Sequence, residues 1–474
     1  MVFNSLEFAA FFPLVWFAYW RLRHRGQNAL LLMASWFFYA MFDWRFLGLM
    51  LLSTVTDFVV GRLLKANDAD DGKRRRIFAL SLLVNLGILG YFKYADFFVD
   101  SAADLLDRLG IAWSAPVLRV ALPVGISFYT FHGISYTFDV YRRIIEPARD
   151  FLSFAVFVAY FPQLVSGPIG RATIQLPQFE NPRAFPDSDK ILSAAFLILL
   201  GLFQKIAVAD ALAPHVNRAF ADASTASWVT AAVGAIGFAL QIYGDFAGYS
   251  NIARGTSRLL GVELPLNFAQ PYLSRNITEF WRRWHISLST WLRDYLYVPL
   301  GGNRGSRRRT YRNLMIVMLL GGLWHGASMT FVVWGGLHGL ALAAHRGWTE
   351  RAGAARMLPS AELRVADLPR IVATAGFAVG AFVVFRATTF GNALDMFEAI
   401  VTFRGGDIDG NAVAVLLLAV LALIGIDLAQ RMLATRQPVS GWRPSVQGVA
   451  AGALVLPILV FSGGAPVPFI YFQF

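Results

Sequence analysis

Two histidines stand where that residue needs a reason to be. His325 lies within Gly321-Gly322-Leu323-Trp324-His325-Gly326-Ala327-Ser328, inside a run from Asn313 to His345 that holds no Lys, Arg, Asp or Glu. Counted from Arg312, a helix would rise ~20 Å before reaching it, which sets the imidazole deep in a hydrocarbon layer. A lipid-facing histidine at that depth is costly, so His325 is expected to face the protein interior or a water-filled passage. The flanking glycines leave room for a substrate to come close. His285 lies in Glu279-Phe280-Trp281-Arg282-Arg283-Trp284-His285-Ile286-Ser287-Leu288-Ser289-Thr290-Trp291. There Trp281, Trp284, His285, Leu288, Trp291, Leu292 and Tyr295 recur at i, i+3, i+4 spacing, and Arg282, Arg283, Arg293 and Asp294 fall mostly off that face. The pattern predicts an amphipathic helix lying in or dipping into the membrane interface, with His285 on its buried face.

A neutral imidazole can take the proton of a hydroxyl as it attacks an acyl carbonyl, a general-base role that contributes ~10²–10⁴-fold. A pair can divide the work, one as base and the other orienting or protonating the leaving group. Each histidine also has a plain structural reading: His325 as a core residue bonded to a backbone carbonyl, His285 as packing under a surface helix. Other architectures are missing. The sequence has no Gly-x-Ser-x-Gly elbow, no His-Glu-x-x-His and no Walker-type phosphate loop. It has no cysteine, which excludes thiol nucleophiles, disulfides, palmitoylation and Cys-ligated metals. His338 could join His285 and His325 around a metal, but acidic residues are scarce and no metal is expected.

The elements that must hold these residues are membrane helices. Of 474 residues, 56% are hydrophobic and 15% charged. Long stretches almost free of charge recur from end to end, the signature of an all-α polytopic membrane protein. Spans are predicted near 5–20, 28–42, 44–64, 77–99, 116–138, 190–209, 226–243, 313–330, 331–345, 368–388, 411–430 and 446–462. No polar linker separates them. Residues 1–474 therefore read as one integral membrane domain of about 11–13 transmembrane helices, with re-entrant or interfacial helices besides. The net charge of +12 does not call for nucleic acid, because the arginines sit in short loops where the positive-inside rule accounts for them. Basic loops follow the first span (Arg21, Arg23, Arg25), the third (Lys73 to Arg76) and the fifth (Arg142, Arg143), which predicts an N-terminus outside the cytoplasm. Residues 1–20 lack a basic n-region and a cleavage site and read as a first span, not a signal peptide.

Phe151 to Ile169 is apolar but carries Pro162 and a Ser-Gly-Pro at 166–168. Read as re-entrant, it keeps the basic 282–312 stretch cytoplasmic. Broken backbone at membrane depth must then line a cavity or be buried in protein. The uncharged 313–345 run is too long for one upright helix and short for two full ones. It predicts two short helices, or a hairpin, broken around Gly326-Ala327-Ser328. Asp245, in Tyr243-Gly244-Asp245-Phe246-Ala247-Gly248-Tyr249-Ser250-Asn251, ends a predicted span and could cap a helix or bond inside a cavity. Arg304 to Arg309 would attract an anionic cofactor such as coenzyme A, or anionic lipid, and serves equally as a topology signal. No inverted repeat of the transporter kind is evident.

Together, Leu122-Pro123-Val124-Gly125-Ile126-Ser127-Phe128-Tyr129, Phe161-Pro162-Gln163-Leu164-Val165-Ser166-Gly167-Pro168-Ile169, Asp245-Phe246-Ala247-Gly248-Tyr249-Ser250, Phe280 to Leu288, Tyr297-Val298-Pro299-Leu300-Gly301-Gly302 and Trp324-His325-Gly326-Ala327 carry a resemblance. They are similar to the membrane-bound O-acyltransferase family, in its bacterial alginate O-acetyltransferase branch, in order over a core of about 120–345. The resemblance implies a ring of helices around a thinned centre, with a passage joining the two membrane faces. It puts the family's catalytic histidine at His325 and its second motif histidine at His285. It also implies a cytoplasmic acetyl donor, acetyl-coenzyme A (acetyl-CoA), outward delivery across the inner membrane, and periplasmic SGNH-type partner proteins that acetylate an exopolysaccharide. Where family members often carry Asp after Gly-Tyr-Ser, this chain has Asn251, to which no catalytic charge is assigned. Peptidoglycan, cellulose or teichoic acid (D-alanyl transfer) remain alternative acceptors, and a non-catalytic acyl-group transporter is the alternative of another class.

Overall fold

The computed structural model describes residues 1–111, 113, 120–165, 167–353, 363–432, 441–463 and 467–470. Ser166 and the start of the predicted 116–138 span lie outside them. Among the described residues the regular structure is helical throughout, without a strand. The chain forms two compact units, Met1–Asp187 with Thr256–Pro265, and Ser188–Gly255 with Leu266–Phe474.

The first unit holds α1 (Leu6–Tyr19), α2 (His24–Asp43), α3 (Leu47–Ala66), α4 (Asp71–Leu89), α5 (Ala95–Arg108), α6 (Ile126–Tyr141), α7 (Phe151–Ala159), α8 (Phe161–Leu164) and α9 (Ala172–Glu180). A π-helical turn, Gly90–Tyr94, joins α4 to α5. Arg74, in the basic run read as a topology signal, is buried. Its guanidinium donates to the Val140 and Tyr141 carbonyls at the end of α6 (3.0 and 2.8 Å) and to Leu64 near the end of α3. A cation there satisfies terminal carbonyls and suits both helix dipoles. The 151–169 segment breaks at Tyr160 (ψ 108°) into helices of nine and four residues. At ~1.5 Å per residue neither approaches the ~30 Å of a hydrocarbon core. From Ser153 onward its described side chains are buried in protein, which meets the condition for broken backbone at membrane depth.

The second unit holds α10 (Ser188–Leu202), α11 (Ala211–Ala221), α12 (Trp228–Leu259) up to Gly255, α13 (Ile277–Arg283), α14 (Ile286–Leu292), α15 (Arg307–His325), α16 (Met329–Arg351), α17 (Leu368–Arg386), α18 (Phe390–Val401), α19 (Gly410–Met432) and α20 (Pro444–Phe461). α10 continues into α11 through a π-helical stretch, Phe203–Asp210. Seven helical stretches among the described residues are long and apolar enough to cross a membrane, and Leu6–Tyr19 and Phe151–Leu164 are shorter apolar helices. The expected 11–13 exceeds seven for physical reasons. α2 and α3 run together through Trp44–Phe46 as one stretch. α15 opens on three arginines, and α16 carries His338, His345 and Arg346.

The hairpin of α15 and α16 turns at Gly326–Ser328, where the sequence placed the break. Each helix extends past the uncharged run, α15 through Arg307–Arg312 at its start and α16 through Arg346–Arg351 at its end. Their closest approach has no room for a side chain. A Cβ on Gly322 would overlap the Phe331 carbonyl and one on Gly335 the Met318 carbonyl, each lying 3.2 Å from the other glycine's Cα. Such close backbone approach is the usual device of membrane helix pairs. Gly335→Val is therefore expected to destabilise the detergent-solubilised protein by ~1–3 kcal/mol, seen as a melting point several degrees lower. Gly336→Ala, whose Cβ would meet only the Leu319 side chain at 3.5 Å, should melt like wild type.

Candidate active site

The stretch predicted as one amphipathic helix is two. α13 ends at Arg283, Trp284 is extended (ψ 129°), and His285 takes the left-handed conformation (φ 42°, ψ 54°) before α14 starts at Ile286. Helical period runs through the break, so Trp284, His285, Leu288, Trp291 and Leu292 are still buried. What interrupts the helix is the segment leading up to it. The Ala269 N–H donates to the Arg283 carbonyl (2.9 Å), and the Ile286 N–H donates to the Asn267 carbonyl (2.8 Å). These bonds clamp the chain on both sides of a conformation that costs a non-glycine residue ~1–3 kcal/mol. Backbone strain of this kind collects at functional sites.

The other anchor of α13 is Glu279. Its carboxylate pairs with Arg275 (3.1 Å), Arg283 (3.0 Å) and Arg431 (3.4 Å). Burial works to raise the Glu279 carboxyl, but hydrogen bonds from Arg275 and the charges of Arg283 and Arg275 outweigh it and hold it below the ordinary carboxylate range.

His285 and His325, far apart in sequence, come together. Their ring centroids are 6.4 Å apart, and their exposures are 0% and 4%. His325 is the last residue of α15, and its ring packs edge-on to Trp334 of α16 (5.1 Å) and Phe385 of α17 (5.3 Å). His285 lies edge-on to Phe246 of α12 (4.6 Å) and Trp324 (5.9 Å). Its Nδ1 is 3.1 Å from Asn267 Oδ1, and its buried Nε2 has no hydrogen-bond partner among the described residues. Asn267 Oδ1 also accepts from the Ser287 hydroxyl (2.9 Å) and the Ser287 N–H (3.3 Å).

An apolar cavity of about 180 Å³ opens beside His325, walled by Trp281, Leu292, Val317, Met318 and Trp334, with Arg293 and Tyr297 also on its lining. The Arg307–Arg309 part of the basic loop is helical. Ser306 caps α15 by accepting from the Arg309 N–H. Arg307 pairs with Glu350 of α16 (2.7 Å), while Arg308, Arg309 and Arg312 surround an open depression. Cations at a helix N-terminus oppose the helix dipole, so this cluster favours an anionic ligand. His338 is buried and accepts a hydrogen bond from Trp281 Nε1 at 3.3 Å. No group of three or more metal-ligating side chains occurs among the described residues.

Residues 142–366, which include both histidines and Asn267, match the family model of the membrane-bound O-acyltransferases. A probable alginate O-acetylase, AlgI, of Azotobacter vinelandii is 41% identical over 90% of this chain and 85% of its own length. The Pseudomonas putida protein of that name is 37% identical over the whole of both chains. The chain belongs to the membrane-bound O-acyltransferase family. It is a multi-pass membrane enzyme, and its alginate O-acetylase relatives make it an O-acetyltransferase. A peptidoglycan O-acetyltransferase of Helicobacter pylori is also similar, 35% identical over 85% of this chain and 80% of its own.

Two site residues were not read from the sequence, Asn267 and Lys205. Nothing local marks Asn267. Lys205, within the predicted 190–209 span, could have been found, since an ionisable residue within a span is a functional or paired group by default. Asp245 does not end its span: α12 continues to Leu259. The carboxylate is buried against Lys205 Nζ at 3.0 Å and accepts the Ile470 N–H at 2.7 Å. Asn251, where an Asp would be usual, donates to Gln204 Oε1 at 2.8 Å.

Proposed function

We propose that this enzyme takes acetyl from a cytoplasmic donor and passes it across the bacterial inner membrane for O-acetylation of a secreted polysaccharide such as alginate. The observation that carries the reading is the meeting of the two histidines, rings 6.4 Å apart, with His325 on the edge of an apolar cavity. In this reading His325 is the general base. It takes the proton of an acceptor hydroxyl while that oxygen attacks the acetyl carbonyl. The carbon–sulfur bond of the donor breaks, and the thiolate leaves with the proton returned by the imidazolium. His285 supports the exchange.

Acetyl-CoA is the proposed donor. An apolar cavity suits a thioester arm, and Arg308, Arg309 and Arg312 suit its phosphates. The whole chain, 1–474, acts as one O-acyltransferase domain around the motif-bearing core, with the N-terminus in the periplasm. A periplasmic SGNH-type protein with a serine nucleophile is the proposed recipient before the polymer.

The test is reconstitution in vesicles, with labelled acetyl-CoA outside and the acceptor protein with alginate or peptidoglycan glycan inside. Label should appear on the enclosed acceptor only when the enzyme is present. Label that stays on coenzyme A, or reaches only acceptor placed on the donor's side, overturns the reading. Preferential labelling of the peptidoglycan glycan would move the polymer from alginate to the substrate named for the Helicobacter pylori relative.

A further inference from the structure

We infer that Asn267 is a positioning residue that fixes the tautomer of His285, leaving a bare Nε2 as the proton-accepting atom. The inference rests on the proposed participation of His285 and assigns it an atom and a direction of proton transfer.

The argument starts from a backbone donor. The Ser287 N–H points at the Asn267 side-chain atom 3.3 Å away, and an N–H can only donate. That atom is therefore the amide oxygen, and the Asn267 side chain cannot be turned round without setting N–H against N–H. The remaining amide edge agrees, because Nδ2 donates to the Ser250 hydroxyl at 3.2 Å. An oxygen that already receives Ser287 N–H and Oγ–H presents only acceptor character to His285 Nδ1 at 3.1 Å. A neutral imidazole has one N–H, so it sits on Nδ1 and the lone pair lies on Nε2.

Among the described residues no donor engages that lone pair, and Nε2 is buried. The rings flanking His285 are Phe246, Phe268, Trp324 and His325, of which His325 alone is titratable. The backbone enforces the same aim. The Ile286 N–H donates to the Asn267 carbonyl, so one residue holds both the left-handed turn at His285 and its ring. His285 thus enters the reaction as an acceptor. Its Nε2 can receive a proton relayed from the His325 imidazole, while Nδ1–H stays bonded to Asn267. The resulting imidazolium returns the Nε2 proton to His325, which delivers it to the leaving thiolate.

The experiment is ¹⁵N NMR of the full-length, histidine-labelled enzyme in detergent, with His285→Ala to assign the signal, paired with acetyl transfer by Asn267→Ala and Asn267→Asp. Wild type should show His285 protonated at Nδ1 and bare at Nε2. Asn267→Ala should mix the tautomers and cut acetyl transfer ~10–100-fold, the orientational share of a base's ~10²–10⁴-fold. Asn267→Asp keeps an acceptor oxygen and should restore both. A wild-type signal protonated at Nε2 overturns the inference, as does Asn267→Ala with unchanged spectrum and activity. If Asn267→Ala does not fold, the wild-type spectrum and Asn267→Asp still decide. Full activity in His285→Ala would instead sink the underlying reading, whereas a dead His285→Ala beside untouched Asn267 variants sinks this inference alone.

Discussion

His325→Ala is expected to abolish acetyl transfer, a loss of at least ~10²-fold, in protein that still inserts and melts close to wild type. Chemistry and stability separate at this position. The imidazole lines a largely apolar cavity, and its removal takes away the proposed base. The fold loses little, because Phe385 packs on Phe331 and Trp334 with centroids 4.7 and 5.2 Å apart. Alanine suits the last residue of α15, and the space left merges with the existing cavity, so the cost stays near the ~1 kcal/mol centre for point changes. Polymer acetyl content and a detergent melt read the two effects. Wild-type acetyl content in this variant would remove His325 from the mechanism. His285→Ala should also impair transfer severely, but alanine fits a φ of 42° poorly. His285→Asn, which tolerates the left-handed region better, should recover the lost stability and remain inactive.

How much of this was legible follows from what periodicity can carry. Hydropathy found the helices, because apolar length and the absence of charge are summed over many residues and survive local error. The glycines and Ser328 gave the hairpin turn, and Pro162 marked a segment that is indeed short and broken. The two histidines stood out because an imidazole in an apolar run is costly wherever its partner lies. The left-handed turn at His285 did not show. Trp281 to Tyr295 keeps a helical period on both sides of it, and the interruption comes from hydrogen bonds to Asn267 and Ala269, tertiary partners that a linear pattern does not encode. Arg74 misled for the complementary reason. Its position in a basic run satisfied the topology rule, so its burial against two helix ends had no signal of its own.

Lys205→Met should be the most destabilising single change in the second unit, costing about 3–5 kcal/mol. The ammonium has no exposure and sits in the π-helical stretch between α10 and α11. It donates to the Val467 carbonyl at 3.0 Å and forms ion pairs with Asp210 Oδ1 at 2.8 Å and Asp245 Oδ1 at 3.0 Å. Methionine fills much of the same volume, so packing is nearly conserved and the loss is electrostatic. The buried Asp245 carboxylate and the partly exposed Asp210 carboxylate would be left with no cation between them, and each must take up a proton or draw in water. The comparison that isolates this is Lys205→Met combined with Asp210→Asn and Asp245→Asn. Replacing every member of a buried ion cluster is often neutral where removing one member is not, so the triple variant should regain most of the melting temperature lost by the single one. If the single and triple variants melt alike, the cost lies in the packing of the widened helix turn and not in the charges.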